Sequence, residues 1–259
     1  MADLIDRIQA YLHNNYETQM GESVAADAFQ MYFACAEAES CSGLAVPCQR
    51  TITHADALLE MEDAFWQRHQ SPHIQFLDSY NPVLAALLEQ NGYDLVTEEM
   101  VLVCTPNSIR PAPEMPGLTT LILSAESSLA DVEAGLQQTS QLGFDPFAAT
   151  RLLDTSAEML RRTLVTGQAF VLRLHKKPVA TGMFKASYEG LIQLTGLTTL
   201  ADYRRQGFAA YLTSYMTKYA FSRHVDTVFL TTAVDGTETV YRRVGFKPRA
   251  TLLTFRKEF

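Results

Sequence analysis

Nowhere in its 259 residues does the sequence hold an apolar run near the roughly 20 residues that cross a bilayer, which argues against a helical membrane span. The opening residues, Met1-Ala2-Asp3-Leu4-Ile5-Asp6, are acidic where a secretory signal would be basic. A cytoplasmic protein with no membrane partner is expected. Cysteine is scarce. Cys35, Cys41, Cys48 and Cys104 stand 6, 7 and 56 residues apart, form no C-x-x-C pair and have no histidine at a zinc-like interval. Free thiols and no metal are expected. Positive charge is missing from the first half: residues 1 to 116 hold no lysine and 4 arginines against 17 acidic residues, a net charge of −13, whereas the remainder carries +5. So acidic a half repels a phosphodiester backbone, which excludes nucleic acid as a partner of the whole molecule, while the basic remainder suits an anion.

What is present is ordinary for a globular protein, with 47% hydrophobic and 19% charged residues over a length that accommodates two compact domains. Proline marks the division. Cys104-Thr105-Pro106-Asn107-Ser108 is followed by Pro111, Pro113 and Pro116, a stretch that sustains neither a helix nor a central strand. Domains are therefore expected at 1–105 and 117–259, joined by a linker over 106–116.

After the linker, Leu118 to Leu123 reads as a strand and Ser127 to Leu142 as a helix ending at Gly143. A second helix spans Pro146 to Val165 behind Asp145 as its cap. A hairpin follows, Ala169 to Leu174 and Val179 to Ser187 around His175-Lys176-Lys177-Pro178, and Leu191 to Thr199 adds a third strand. From Arg205 to Arg223 the period changes, with Ala209, Leu212, Met216 and Tyr219 on one helical face. A strand over Asp226 to Thr232, a short helix from Asp235-Gly236 to Gly245 and a strand over Thr251 to Phe255 complete the chain. The first half opens with a helix, Asp3 to Asn14, and has a poorly patterned middle through Cys48. Then come a helix (His54 to Gln70), a strand (His73 to Leu77), a helix (Pro82 to Gln90) and a strand (Leu95 to Cys104). That order repeats the end of the second half, and Leu87 to Tyr93 lines up with Val240 to Phe246 at an offset of 153 residues, so two related domains in tandem are expected.

The segment that carries chemistry joins the third strand to the long helix. Gly196-Leu197-Thr198-Thr199 leads through Leu200 to Tyr203 into Arg204-Arg205-Gln206-Gly207-Phe208-Ala209. A helix start presents unpaired N–H groups and the positive end of the helix dipole, which suit a phosphate, and Gly207 lets a ligand approach the backbone closely. The pattern Arg204-x-x-Gly207-x-Ala209 resembles the acyl-CoA motif Q/R-x-x-G-x-G/A of the GNAT (GCN5-related N-acetyltransferase) superfamily. Tyr241, 34 residues beyond Gly207 and followed by Gly245-Phe246, resembles that family's Y-x-x-x-G-F signature. The order of elements over 117–259 resembles it as well.

The resemblance implies an α+β fold, a mixed, largely antiparallel central sheet flanked by helices, in two tandem domains. It implies an enzyme, an N-acetyltransferase that moves an acyl group, acetyl above all, from acetyl-CoA to the amine of a small molecule or peptide. The backbone of Leu197, Thr198 and Thr199 would pair with the pantetheine arm, and Arg204 with the amides of Arg205, Gln206, Gly207, Phe208 and Ala209 would hold the pyrophosphate. Thr198 can equally be a β-prone strand residue without a side-chain role. Tyr241 would be the general acid, although a tyrosine there can also pack the last helix or bind CoA. No general base is evident: the strand before the motif carries Gln193 and Thr195 where some relatives place a glutamate, and Asp235 or Glu238 remain. Phe144 and Phe147, between the first two helices, would line the acceptor pocket or belong to the core. With no cysteine after Cys104, direct transfer is expected in place of a thioester enzyme. The first half resembles only the latter part of such a domain. Cys48-Gln49-Arg50-Thr51-Ile52-Thr53 has no glycine and Leu88 replaces the tyrosine, so it would complete the active-site wall or form a homo-oligomer interface. The competing expectation is a non-enzymatic acyl-CoA-binding sensor or interaction protein.

Overall fold

The computed structural model describes residues 3–33, 43–144, 157–233 and 237–258. By contacts the chain divides into two units, one of Met1–Val101 with Thr231–Asp235 and Pro248–Phe259, the other of Leu102–Leu230 with Gly236–Lys247. Each combines helices with strands of a mixed, largely antiparallel sheet, the α+β class expected.

The first unit begins with α1 (Leu4–Gln19), whose buried Ile8, Tyr11, Leu12 and Asn15 form one helical face. The stretch that looked unpatterned contains three short strands, β1 (Glu22–Ala25), β2 (Phe29–Phe33) and β3 (Leu44–Pro47). β1 is only four residues long and mostly exposed, and β2 is buried at four of its five positions, so neither has one buried and one exposed face. Then follow α2 (Asp56–Trp66), β4 (His73–Leu77), α3 (Leu84–Gln90) and β5 (Asp94–Cys104), as expected in kind and order. Phe29, Met31 and Phe33 pack with Leu58, Met61 and Phe65 of α2 and with Leu84 and Leu88 of α3. β1, β2 and β3 are antiparallel neighbours, β3 and β4 are parallel, and the chain's last strand, β11 (Lys247–Arg256), pairs antiparallel with β4 from Leu252↔Leu77 to Arg256↔His73.

The second unit starts with β6 (Leu118–Leu123). The expected single helix is broken in character: α4 (Leu129–Asp131) is capped by the Ser128 hydroxyl accepting from the Asp131 amide at 3.1 Å, a π-helical segment covers Val132–Gln137, and α5 (Gln138–Phe144) follows. A side chain at Gly135 would stand 3.2 Å from Val171 Cγ2, so the π segment runs close to the sheet. α6 (Ala157–Thr163) precedes an antiparallel meander, β7 (Gln168–Leu174), β8 (Lys177–Phe184) and β9 (Leu191–Thr199). α7 (Phe208–Ser222), β10 (Thr227–Ala233) and α8 (Glu238–Val244) complete the unit. The order β10-β9-β8-β7-β6 is antiparallel except for the parallel pair β9/β10.

The two helices set 153 residues apart in the sequence end alike. α3 and α8 both end in a left-handed glycine, Gly92 at φ 80° and Gly245 at φ 106°. The next amide reaches five residues back, Tyr93 to Leu88 O and Phe246 to Tyr241 O, both at 3.1 Å. The glycine amides bond Glu89 O and Arg242 O, completing two Schellman closures. At Gly245 the proline-rich segment adds a second demand. The Arg110 amide donates to Val244 O at 2.7 Å, and a Cβ on Gly245 would land on the Ser108 carbonyl oxygen, with the carbonyl carbon 2.8 Å away.

Gly92→Ala, which meets nothing within 4 Å, should lose about 1–2 kcal/mol from backbone strain alone. Gly245→Ala should lose about 3 kcal/mol or more, because overpacking adds to the same strain. Urea unfolding of the two variants measures the difference, and equal losses would show that Ser108 yields freely.

Candidate functional site

The site is built where β9 leaves its neighbours. The pairing Thr181↔Thr198 and Met183↔Thr195 sets two residues of β9, Gly196 and Leu197, opposite one residue of β8, Gly182. This is a β-bulge with Gly196 left-handed at φ 61°. On the other edge, pairing with β10 covers only Leu191, Ile192 and Gln193. From Leu194 to Thr199 that edge of β9 lacks a strand partner among the described residues.

A short 3₁₀ turn, Ala201–Tyr203, then turns the chain. Arg205 at φ 60° and Gly207 at φ 89° both adopt left-handed backbone before α7 begins at Phe208, three residues later than the periodicity suggested. No side chain caps this helix. Its first amide to reach a carbonyl within the helix is that of Tyr211, on Gly207 O at 2.9 Å, so the amides of Phe208, Ala209 and Ala210 have no intrahelical acceptor. A Cβ at Gly207 would meet nothing within 4 Å, which leaves the approach to the helix end open. The backbone provides an uncapped, positive helix start beside a free strand edge.

The side chains of the motif divide into anchors and exposed groups. Phe208 is buried and packs against Tyr203 with ring centroids 6.1 Å apart. Gln206 Nε2 donates to Asp202 O at 3.0 Å. Arg204 donates from Nε to Thr199 O at 3.2 Å and from Nη2 to Gly143 O at 2.8 Å, joining the ends of β9 and α5. Thr198 is buried beneath Gly143, where any side chain would collide with the threonine methyl and hydroxyl. Thr199 Oγ1 is buried with no hydrogen-bond partner. Arg205 and Gly207 are exposed and Ala209 half-buried.

Tyr241 sits on α8, which packs against α7. Its ring is half-buried and meets buried Phe246 edge-on at 6.2 Å, the apolar contact that accompanies a Schellman closure. Glu238, one turn earlier on the same helical face, has Oε2 buried without a hydrogen-bond partner. Gln193 is buried. Asp235, Phe147 and the Phe144 side chain lie outside the described residues, as do Cys35 and Cys41; Cys48 and Cys104 are free thiols. Gly196 heads the motif segment and Gly143 ends a helix in the sequence, but neither is assigned a role there, although a glycine inside a strand pattern is the ordinary sign of a bulge.

The corresponding place in the first unit is electrostatically opposite. The cavity of about 360 Å³ at the start of α2 is lined by Asp27, Asp56 and Glu60 beside Thr51 and His54, so carboxylates stand where a phosphate would need donors. Among the described residues no helix is long and apolar enough to cross a membrane, and no group of three or more His, Cys, Asp or Glu is placed to hold a metal ion.

Residues 138–246 match the model of the acetyltransferase (GNAT) family, so the chain carries a domain of that kind. No curated protein matches the chain. A GCN5-related N-acetyltransferase from Kribbella flavida shares the fold over 100% of this chain and 97% of its own, with TM-score 0.79 and 22% identity. One from Sphaerobacter thermophilus does so over 89% and 76%, with TM-score 0.61 and 16% identity. A tandem GNAT protein from the clavulanic acid biosynthesis pathway aligns over 89% and 78%, with TM-score 0.61 and 10% identity.

The bonds of Arg204 separate it from Arg205. Arg204→Ala should lower stability by about 1 kcal/mol, the modest value of solvent-accessible hydrogen bonds. It should also speed hydrogen exchange at the end of α5, whereas Arg205→Ala should change neither. Mass-resolved hydrogen exchange checks both, and identical behaviour of the two variants would contradict this division.

Proposed function

We propose that the second unit transfers an acetyl group from acetyl-CoA to a primary amine by direct attack within a ternary complex, in the cytoplasm where acyl-CoA is made. The observation that carries this reading is the unpaired edge of β9 leading into the uncapped start of α7. Backbone groups of Leu197, Thr198 and Thr199 suit a pantetheine amide as an added strand would. The amides from Arg205 to Ala209, with the exposed Arg205 guanidinium, suit the pyrophosphate. Arg204 acts on this reading through the strand end that it holds. The first unit keeps the scaffold and lines the matching place with carboxylates, which supports one acyl-CoA per chain.

The reaction needs two proton movements. An alkylammonium of pKa near 10.4 is neutral in only about one part in 2,500 at pH 7, so a base must take its proton before the nitrogen attacks the thioester carbonyl. Glu238 is assigned that role, directly or through water, on the strength of its buried, unpartnered carboxylate oxygen. Collapse of the adduct breaks the carbon–sulfur bond and leaves a thiolate, the base of a thiol with reference pKa about 8.5, which a positioned phenol protonates. Tyr241 is assigned as that donor, one helical turn from Glu238. Phe144 and Phe147 are assigned to the acceptor wall.

Titration calorimetry with acetyl-CoA should give one site per chain. Gly207→Trp should abolish binding by filling the open approach, while Gly207→Ala, strained at the same φ but small, keeps measurable affinity. Two sites, or unchanged binding by the tryptophan variant, would refute the placement.

Tyr241→Phe should lower kcat by about 10²-fold with little change in acetyl-CoA affinity, since it removes the proton donor and keeps the ring. The assay is thiol release across a panel of amines. An unchanged kcat on a productive amine would reduce Tyr241 to packing, and thiol release with no amine in the panel would leave acyl-CoA binding as the function.

A further inference from the structure

The first unit contains a larger cavity than the one at α2, about 540 Å³, walled by α1, the β1–β2 hairpin and the ends of β3 and β4. This lies within the roughly 300–1,000 Å³ typical of small-molecule sites. Three lining residues of α1, Gln9, His13 and Glu17, follow one another at intervals of four and form a single stripe toward it.

Gln9 is 2% exposed. Its Nε2 donates to Pro47 O at 3.0 Å, while its Oε1 is buried and accepts nothing. A buried acceptor without a donor is unfavourable, and the residue that carries it is one of those lining the cavity. His13 Nε2 stands 3.2 Å from the same Pro47 carbonyl, which can only accept, so Nε2 carries the proton. Nδ1 therefore accepts from the Tyr32 hydroxyl at 2.9 Å. Burial holds His13 below its ordinary pKa, in keeping with a neutral ring. With its proton committed to His13, the Tyr32 oxygen offers the cavity only lone pairs.

Charge completes the arrangement. The lining contains no lysine or arginine. Asp6 is engaged by Arg50, with Nε to Oδ1 at 2.8 Å, whereas Glu17 has no ion-pair partner among the described residues. Glu17 lines the same cavity as His13 and Tyr32.

We infer that the first unit holds a ligand site of its own, for a small organic ammonium compound whose N–H groups donate to Gln9 Oε1 and the Tyr32 oxygen and whose charge faces Glu17. Fixed acceptors and a net negative wall select a cationic donor over a neutral or anionic molecule. The site uses no residue of the β9–α7 junction and stands whether or not the second unit acetylates amines.

Cys48 reports on occupancy, since it lines the cavity, is exposed, and has a free thiol. The full-length protein is treated with iodoacetamide at fixed ionic strength, with and without 1,4-diaminobutane, and alkylation of Cys48 is followed by peptide mass spectrometry. The diamine should slow alkylation in a saturable way, and 1,4-butanediol at equal concentration should not. Glu17→Gln, on an exposed position that preserves the fold, should raise the half-protecting concentration about tenfold, as should Gln9→Leu, consistent with loss of one charge-assisted hydrogen bond. Gly207→Trp should protect as the parent does, which separates this site from the acyl-CoA site. Absent protection, equal protection by the diol, or an unchanged half-protecting concentration in both Glu17→Gln and Gln9→Leu would overturn the inference.

Discussion

Between Thr195 and Thr198, β9 sets two residues opposite the single Gly182 of β8, and the surplus is absorbed by Gly196 in left-handed backbone. The rest of the site follows from this local mismatch. Pairing with β10 reaches only Gln193, and the continuing strand keeps one edge unpaired. A free strand edge binds whatever brings its own amides and carbonyls. Arg204 fixes where that edge ends by tying Thr199 to Gly143, so the start of α7 follows the strand at a set distance.

Left-handed backbone performs a different task at each position. At Gly207 it precedes a helix start without a side-chain cap, and a Cβ there would meet nothing within 4 Å. At Gly245 it closes a helix against a carbonyl that no side chain could share, which sets Tyr241 and Phe246 in contact. Gly92 repeats the closure without the crowding. The two units therefore share a helix-closing device, while two of their helix starts differ in charge. The start of α7 is uncapped and flanked by Arg205; that of α2 is lined by three carboxylates.

Much of this was legible in the residues. Leu118–Leu123, His73–Leu77 and Leu191–Thr199 read as strands over the residues observed, since alternation and bounding turns are local properties. The helix starting beside Gly207 and the one ending at Gly245 were legible because glycine is the residue that left-handed backbone favours. β1 to β3 were not legible. β1 is too short and exposed and β2 too uniformly buried to show a period. The π segment was hidden because its sequence supports an ordinary helix, and the departure concerns its approach to Val171.

The sequence by itself determined the strand-turn-helix junction, the helix ends and the sign of charge in each half, because these depend on backbone preference and composition within a few neighbouring residues. Tertiary structure alone decided that the last strand pairs with β4 in the first unit, that Arg204 is bound to two carbonyls, and that Gln9, His13 and Tyr32 meet at one cavity. Each of those outcomes joins residues distant in sequence. Hydrogen-bond partners and burial are set by which surfaces fold together, and no local spacing encodes that choice.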